Sequence, residues 1–293
     1  MKILGTGLTG LLGSRIVELL SKTYTFENVS RSTGVDITKR DEVITKIASS
    51  DAQWVFHLAA KTNVDGCEEE KGLGEAGEAW KINVLGTKNV VDACLQSNKR
   101  LLYVSTDFVF DGKNPPENGY TEEDEPNPIN WYGQTKYEAE KIVSSSLPSA
   151  LIARIAYPYK ALENNKDFLH VVKNRLEKGE TVFCVTNHIF SPTYIDDVAN
   201  ALELLIKQDK SGIFHITGTG SLSPYDAAVS IVSAFGFNKS LVEKTTLEEF
   251  FVGRAPRPFC LPMNNAKIEQ LGIKMHTFEE GLAEVKNQCE TII

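Results

Sequence analysis

The chain has 293 residues, 42% hydrophobic and 24% charged, enough for one large domain or two intimate ones with a substantial core. A formal net charge of −8 and a pI near 5.3 argue against nonspecific binding to nucleic acid or anionic membranes. Cys67, Cys94, Cys184, Cys260 and Cys289 are scattered without metal-ligand spacing and read as reduced thiols of a cytoplasmic protein; His57, His170, His188, His215 and His276 show no paired spacing, so no metal site is expected.

Lys2 to Thr6 reads as a short strand, followed by Gly5-Thr-Gly7-Leu-Thr-Gly10-Leu-Leu-Gly13 and an amphipathic helix through about Leu20. Two registers fit, GxGxxG from Gly5 and GxxGxxG from Gly7. In both, glycines permit a tight turn with close backbone approach, and the helix amino terminus offers N–H groups to a pyrophosphate. A chain that enters this pattern at once is expected to carry no signal peptide, and no apolar run is long enough to span a bilayer.

The second strand, Phe26 to Ser30, ends in Ser30-Arg31-Ser32, where an arginine can grip a ribose phosphate and so tilts the cofactor towards NADPH, with NADH also open. Asp36-Ile-Thr38 precedes a helix over Asp41 to Ala48, and Trp54 to Ala60 is the third strand, its end small enough for a ligand to lie against Ala59 and Ala60. Glu68 to Gly77, acidic and glycine-rich, is expected to be a mobile surface stretch. Ala79 to Gln96 has helical periodicity and carries Asn83, either an exposed site or one holding water or a neighbouring carbonyl.

Arg100 to Phe110 is an apolar, β-branched and aromatic run that presents Thr106 where an open α/β sheet presents its ligands. The polar, proline-rich loop from Asp111 to Asn130 leads into a helix, to about Ser145, that opens with Tyr132-Gly-Gln-Thr-Lys136. Positions four apart share a helix face, so the phenol and the ammonium can reach one spot. A free phenol has a pKa near ~10, and a neighbouring cation favours its ionised form, which suits proton transfer near neutrality. Thr106 would hydrogen-bond the oxygen that Tyr132 protonates.

Ala150 to Ala156 is the next strand, and Tyr157-Pro-Tyr159 then breaks the pattern. Helices are expected over Phe168 to Lys178, Ile195 to Ile206 and Ser223 to Phe235, and strands over Thr181 to Val185 and Gly212 to Thr217. The irregular Arg254-Ala-Pro-Arg257-Pro258 precedes a last helix pair. The fold expected is a doubly wound parallel sheet of the Rossmann type, over 1–160 and about 192–217. A smaller interwoven α/β substrate lobe is expected over about 161–191 and 218–293.

Gly7-x-x-Gly10-x-x-Gly13, Asp36-Ile37, Leu58-Ala-Ala60, Asn83, Ser105-Thr-Asp107, Tyr132-x-x-x-Lys136, Ser191-Pro-Thr193 and Arg257-Pro258 together resemble the extended short-chain dehydrogenase/reductase superfamily. Within it the chain is most similar, over nearly its whole length, to the dTDP-4-dehydrorhamnose reductases. The resemblance implies NAD(P)H-dependent reduction of a nucleotide-linked 4-keto-6-deoxy sugar, with Thr106, Tyr132 and Lys136 as catalytic triad and Asn83 as helper in a proton relay. Gly10, Leu11 and Leu12 would line the pyrophosphate, Asp36 and Ile37 the adenine, and Ala60, Lys61 and Thr62 the ribose and nicotinamide side. Gly7, Gly13, Ser30, Arg31, Ala59, Asn83, Tyr132 and Lys136 complete the cofactor set, and Thr106, Asp107, Phe108 and Tyr157 the sugar set.

Phe108 stands where that family has tyrosine, Tyr157 where it has tryptophan, and Lys160-Ala161 where it has a glycine, so the sugar stays open. A nucleotide-sugar epimerase or dehydratase is the nearest rival, although the Asp-Glu pair of the dehydratases is here Asp107-Phe108. The other rival is an NADP-binding regulatory subunit like that of methionine adenosyltransferase. The expected partner is a nucleotide-sugar substrate, with no nucleic acid and no membrane; a homodimer stays open.

Overall fold

The structure, a computed structural model, describes residues 1–161 and 167–291. Residues 162–166 and 292–293, within the smaller lobe expected from sequence, lie outside the described residues. In chain order the elements of the first part are β1 (Lys2–Thr6), α1 (Leu11–Leu20), β2 (Thr25–Val29), α2 (Arg40–Ser49), β3 (Trp54–His57), α3 (Val64–Glu68) and α4 (Glu78–Trp80). A π-helical turn (Lys81–Gly86) carries α4 into α5 (Thr87–Ser97), followed by β4 (Arg100–Thr106), α6 (Trp131–Ser146) and β5 (Leu151–Ile155). The remainder comprises β6 (Pro158–Tyr159), α7 (Phe168–Glu177), β7 (Val182–Val185), β8 (Thr193–Tyr194), α8 (Ile195–Lys207), β9 (Gly212–His215), α9 (Pro224–Phe235), β10 (Val242–Thr245), α10 (Leu247–Phe250), α11 (Ala266–Glu269) and α12 (Phe278–Thr291).

Six strands form one sheet in the order β2-β1-β3-β4-β5-β9. The β1–β2, β1–β3 and β3–β4 pairs are parallel, with Thr6 opposite both Val29 and His57, and His57 opposite Tyr103. In this arrangement of the Rossmann type, the carboxyl ends of β1, β2, β3 and β4 reach one edge, where α/β sheets bind ligands. Helix-spaced Leu12, Ile16 and Leu20 bury one face of α1.

The chain clusters into two compact units. The first comprises Met1–Phe110, Pro126–Arg154 and Leu202–Phe214. Its core joins Leu4 and Val55 of the sheet to Val43 and Ile47 of α2, Val90 and Val91 of α5, and Ala139 and Val143 of α6. The second comprises Asp111–Glu125, Ile155–Ala201 and His215–Ile293, with a core that includes Leu169, Phe190, Ile231, Phe278 and Leu282. Among the described residues, no helix is long and apolar enough to cross a membrane.

Several boundaries differ from the sequence expectation for local reasons. Thr106 ends β4, as expected of a hydroxyl at a strand's carboxyl end, and the rest of the apolar run leaves the strand because the Thr106 hydroxyl accepts the Phe108 N–H and opens a 3-10 turn over Asp107–Val109. Tyr157-Pro-Tyr159 does not merely break the pattern, since Pro158–Tyr159 pairs with Thr193–Tyr194. Val242–Thr245, too charged to read as a strand, pairs in parallel with Val182–Val185. Glu68 to Gly77, expected to be a mobile surface stretch, ends α3, forms a 3-10 helix over Lys71–Ala76 that is kinked at Gly74, and supplies carboxylates to its neighbours.

Candidate active site

The turn after β1 satisfies the demand of both glycine registers for close approach. Gly7 has φ +71°, and a Cβ there would meet the Ala59 backbone nitrogen at 2.6 Å. A Cβ at Gly13 would strike the Gly7 carbonyl oxygen at 2.4 Å. Gly10 caps α1 with no side-chain bond, and the first i−4 bond of the helix runs from Ser14 N–H to the Gly10 carbonyl. The N–H groups of Leu11, Leu12 and Gly13 therefore precede the ladder, at a helix start with no acidic side chain in its first turn. A bare backbone cradle at the positive end of a ten-residue helix fits a dinucleotide pyrophosphate.

After β2, Ser30 caps a short 3-10 helix through a capping box with Thr33. The Ser30 and Ser32 hydroxyl oxygens lie 2.8 Å apart. Arg31 donates Nε to Asp36 Oδ2 at 3.0 Å, and its side chain is 65% exposed. The Thr38 backbone N–H and hydroxyl, and then Arg31, hold the Asp36 carboxyl below its usual range. Ile37 is buried, and its carbonyl accepts Asn89 Nδ2 at 2.9 Å.

Asn83, on the π turn, is not exposed but 1% accessible. Its Oδ1 accepts the Lys61 N–H at 2.8 Å, and its Nδ2 donates to the Lys61 carbonyl at 3.1 Å and to Thr135 Oγ1 at 2.9 Å. Both its amide hydrogens and its carbonyl oxygen are thus engaged within the protein, so it holds the segment after β3 in place rather than offering a free amide. Lys61 Nζ is paired with Glu70 and Glu78, which raise its pKa; Thr62 is exposed.

Thr106 at the end of β4 donates Oγ1–H to Asp107 Oδ1 at 3.0 Å. Phe108 packs edge-on against the Tyr132 ring, centroids 6.0 Å apart. Burial raises the phenol above its ordinary pKa, Thr106 opposes this, and the Asp107 charge adds to it. Lys136, expected to favour the ionised phenol, lies one turn along α6 from Tyr132. Its ammonium is 2.7 Å from the Val104 carbonyl oxygen and 4.1 Å from the Tyr103 ring centroid, and burial pushes its own pKa down to about 7 against the support of Glu140. Asp107, 2% accessible, is pushed up to about 7 by burial, and its Oδ2 has no hydrogen-bond partner among the described residues.

Tyr157, the remaining residue expected at the sugar, belongs to the second unit. It has φ +40° and packs 4.6 Å from the Phe190 ring. His188 Nδ1 donates to the Pro258 carbonyl at 2.8 Å, so its Nε2 accepts the Tyr157 hydroxyl at 3.2 Å. Burial holds His188 down to about 4, which keeps the imidazole neutral. The chain thereby ties Tyr157 to the Arg257-Pro258 segment.

Three supporting residues escaped the sequence reading. Gly133 lets α6 approach the turn after β4, because a Cβ there would meet the Phe108 carbonyl oxygen at 2.2 Å. Arg154 and Glu140 form a buried pair at 2.7 Å that fixes α6 to β5, one turn beyond Lys136. Only the adjacency of Tyr132 and Gly133 was a local signal; the others are long-range contacts.

The RmlD substrate binding domain family matches residues 1–291. The probable low-salt glycan biosynthesis reductase of Haloferax volcanii is 31% identical over 95% of both chains. Methionine adenosyltransferase 2 subunit beta of Mus musculus is 29% identical over 97% of this chain and 86% of its own. The crystal structure of dTDP-4-dehydrorhamnose reductase from Bacillus anthracis, in complex with NADP, superposes with a TM-score of 0.89 at 30% identity, covering 98% of this chain and 99% of that one.

Proposed function

We propose that this chain, which belongs to the RmlD substrate binding domain family, catalyses NAD(P)H-dependent reduction of a nucleotide-linked 4-keto-6-deoxy sugar, as a dTDP-4-dehydrorhamnose reductase does. The observation that carries the reading is the placement of the half-buried Tyr132 phenol, edge-on to Phe108 at the turn after β4, with Lys136 one turn along the same helix; desolvation favours its protonated form. A protonated phenol is an acid and a poor base, the state a carbonyl reduction needs.

Gly7, Gly10 and the amides of Leu11, Leu12 and Gly13 hold the pyrophosphate of the cofactor. Ser30 and Arg31 meet a ribose phosphate, Asp36 and Ile37 the adenine, and Ala59 to Thr62 with Lys136 the nicotinamide ribose. When bound, the reduced nicotinamide supplies a hydride to the ketone carbon. Thr106 orients the ketone oxygen and releases its hydrogen bond from Asp107 to do so. Tyr132 then gives its proton to that oxygen as negative charge develops, and the phenolate regains a proton from solvent. Lys136 places positive charge on the face of α6 where the phenolate forms. Asp107 and Phe108, at the turn after β4, contribute to sugar recognition. The free cysteines suit the reducing cytoplasm.

Incubation with NADPH and dTDP-4-keto-6-deoxy sugars, followed by loss of dihydronicotinamide absorbance, tests the reaction. Net consumption supports reduction; interconversion of sugars without it would point to an epimerase. The likeness to the methionine adenosyltransferase subunit favours a second reading, a nucleotide-binding protein that acts through a partner enzyme. A stoichiometric partner in a pull-down, with no turnover on any keto-sugar, would favour that reading over the first.

A further inference from the structure

Five polar side chains are sealed inside the first unit: Thr6, His57, Thr87, Asn83 and Thr135, none more than 1% accessible. They form one hydrogen-bonded file whose directions follow from counting hydrogens. The Thr87 hydroxyl lies 2.6 Å from the backbone carbonyl oxygen of Asn83, which can only accept, so its single hydrogen is committed there. His57 Nε2, 2.9 Å from the same hydroxyl, must therefore donate to it. A neutral imidazole has one N–H, which leaves Nδ1 to accept the Thr6 hydroxyl at 2.7 Å. Thr6 Oγ1 in turn accepts the Ala59 N–H at 3.3 Å.

On the far side, Asn83 clamps both backbone groups of Lys61 and donates to Thr135, whose hydroxyl donates to the Tyr132 carbonyl at 2.8 Å. The file thus starts at the backbone beside the glycine turn and ends on the helix that bears the phenol. His57 is its one imidazole, with Lys136 and the Tyr103 ring, 5.7 Å away, as its charged and titratable neighbours. Burial, with the Lys136 charge, holds it down to about 3.

We propose that His57 is a positioning residue: locked as the Nε2–H tautomer, it sets the register between the cofactor-facing backbone at Ala59 to Lys61 and the helix that carries Tyr132. This rests on the reductase reading for its use, but not for its geometry. A protein that only needed to fill this space could do so with an apolar side chain, without an imidazole that bridges the Thr6 and Thr87 hydroxyls.

Nitrogen-15 NMR of the wild-type protein without cofactor tests the geometry directly. His57 should appear as the Nε2–H tautomer and stay unchanged between about pH 5 and pH 8, whereas an ordinary histidine titrates in that range. An Nδ1–H tautomer, or a titrating ring, would overturn the proposal.

Thr87→Val keeps the shape at position 87 and removes the hydroxyl, and Thr87→Ser restores it. Calorimetric titration with NADP+ should show Thr87→Val weakened about tenfold, the scale on which loss of an orienting partner acts, and Thr87→Ser back within about twofold of wild type. Thr87→Val binding as tightly as wild type would overturn the positioning role alone. A wild-type protein that binds no NADP+ would overturn the reductase reading and the use assigned to the file, while the tautomer measurement still decides its geometry. Should Thr87→Val fail to fold, the tautomer and the Thr87→Ser titration carry the decision.

Discussion

Glu68 accepts the backbone N–H of Trp131, the first residue of the helix that carries Tyr132, at 2.6 Å. Asn130 takes the Gly133 N–H of the same helix at 2.8 Å, so two of its four unladdered amides are met by side chains. A carboxylate at this position also faces the positive end of the helix. Replacing Glu68 by Ala should lower unfolding free energy by about 1 kcal/mol, as loss of a cap does. Glu68 also pairs with Lys71, whose side chain is 55% exposed, so Lys71→Ala should cost less than about 0.5 kcal/mol. Urea unfolding of both variants separates the two contributions; equal effects would make the cap a bystander.

Tyr132→Phe removes the proposed proton donor and keeps the ring that packs against Phe108. Turnover on a keto-sugar should fall by roughly 10²- to 10⁴-fold, the range for loss of a general acid. Binding of NADP+, measured by titration calorimetry, should stay near wild type, because the cradle at Gly7 to Gly13 is untouched. Retained turnover would remove the phenol from the mechanism.

Asp107 gives stability a pH dependence with a defined sign. Its folded pKa is raised to about 7 by burial, so in mildly acidic solution the native state holds a proton that the unfolded state has lost, and stability from this group falls as pH rises towards 7. His57 and His188 act the other way, since folded values of about 3 and about 4 withhold protons that the unfolded state binds in acid. The wild-type curve is their sum. The difference between wild type and Asp107→Asn isolates the carboxyl: relative to the variant, wild type should lose about 2–3 kcal/mol between pH 5 and pH 7. Parallel curves would mean that Asp107 stays ionised in the fold.

What the sequence discloses about this site is what is local in the chain. The glycine turn, the hydroxyl after β4 and the Tyr132-x-x-x-Lys136 spacing each lie within a dozen residues, where periodicity and turn chemistry can be read directly. The parts that escape are long-range or depend on solvent access. Glu68 lies 63 residues from Trp131 and Thr6 lies 51 from His57, so neither pairing has a local signature. The state of the Tyr132 phenol is also a burial effect: the chain places a cation four residues away, but the fold engages that cation with Val104 and Tyr103. The charged strand Val242–Thr245 is invisible for a related reason, since its pairing with Val182–Val185, not its composition, makes it a strand.

Cofactor choice should turn on the pair formed by Arg31 and Asp36. With Nε given to Asp36 at 3.0 Å, the rest of the guanidinium fork is what a ribose phosphate would meet, beside the Ser30 and Ser32 hydroxyls. Arg31→Ala should weaken NADPH about tenfold, since charge-assisted bonds are the strong ones, and change NADH by less than about twofold. Asp36→Asn removes the competing carboxylate while leaving an amide for the Thr38 contacts, so NADPH should bind at least as tightly as in wild type and its affinity should fall more steeply with salt. Titration calorimetry with both cofactors reads these outcomes. Equal losses of NADPH and NADH in Arg31→Ala would mean that the arginine supports the turn after β2 rather than recognising a phosphate, and the preference for NADPH would have to come from elsewhere.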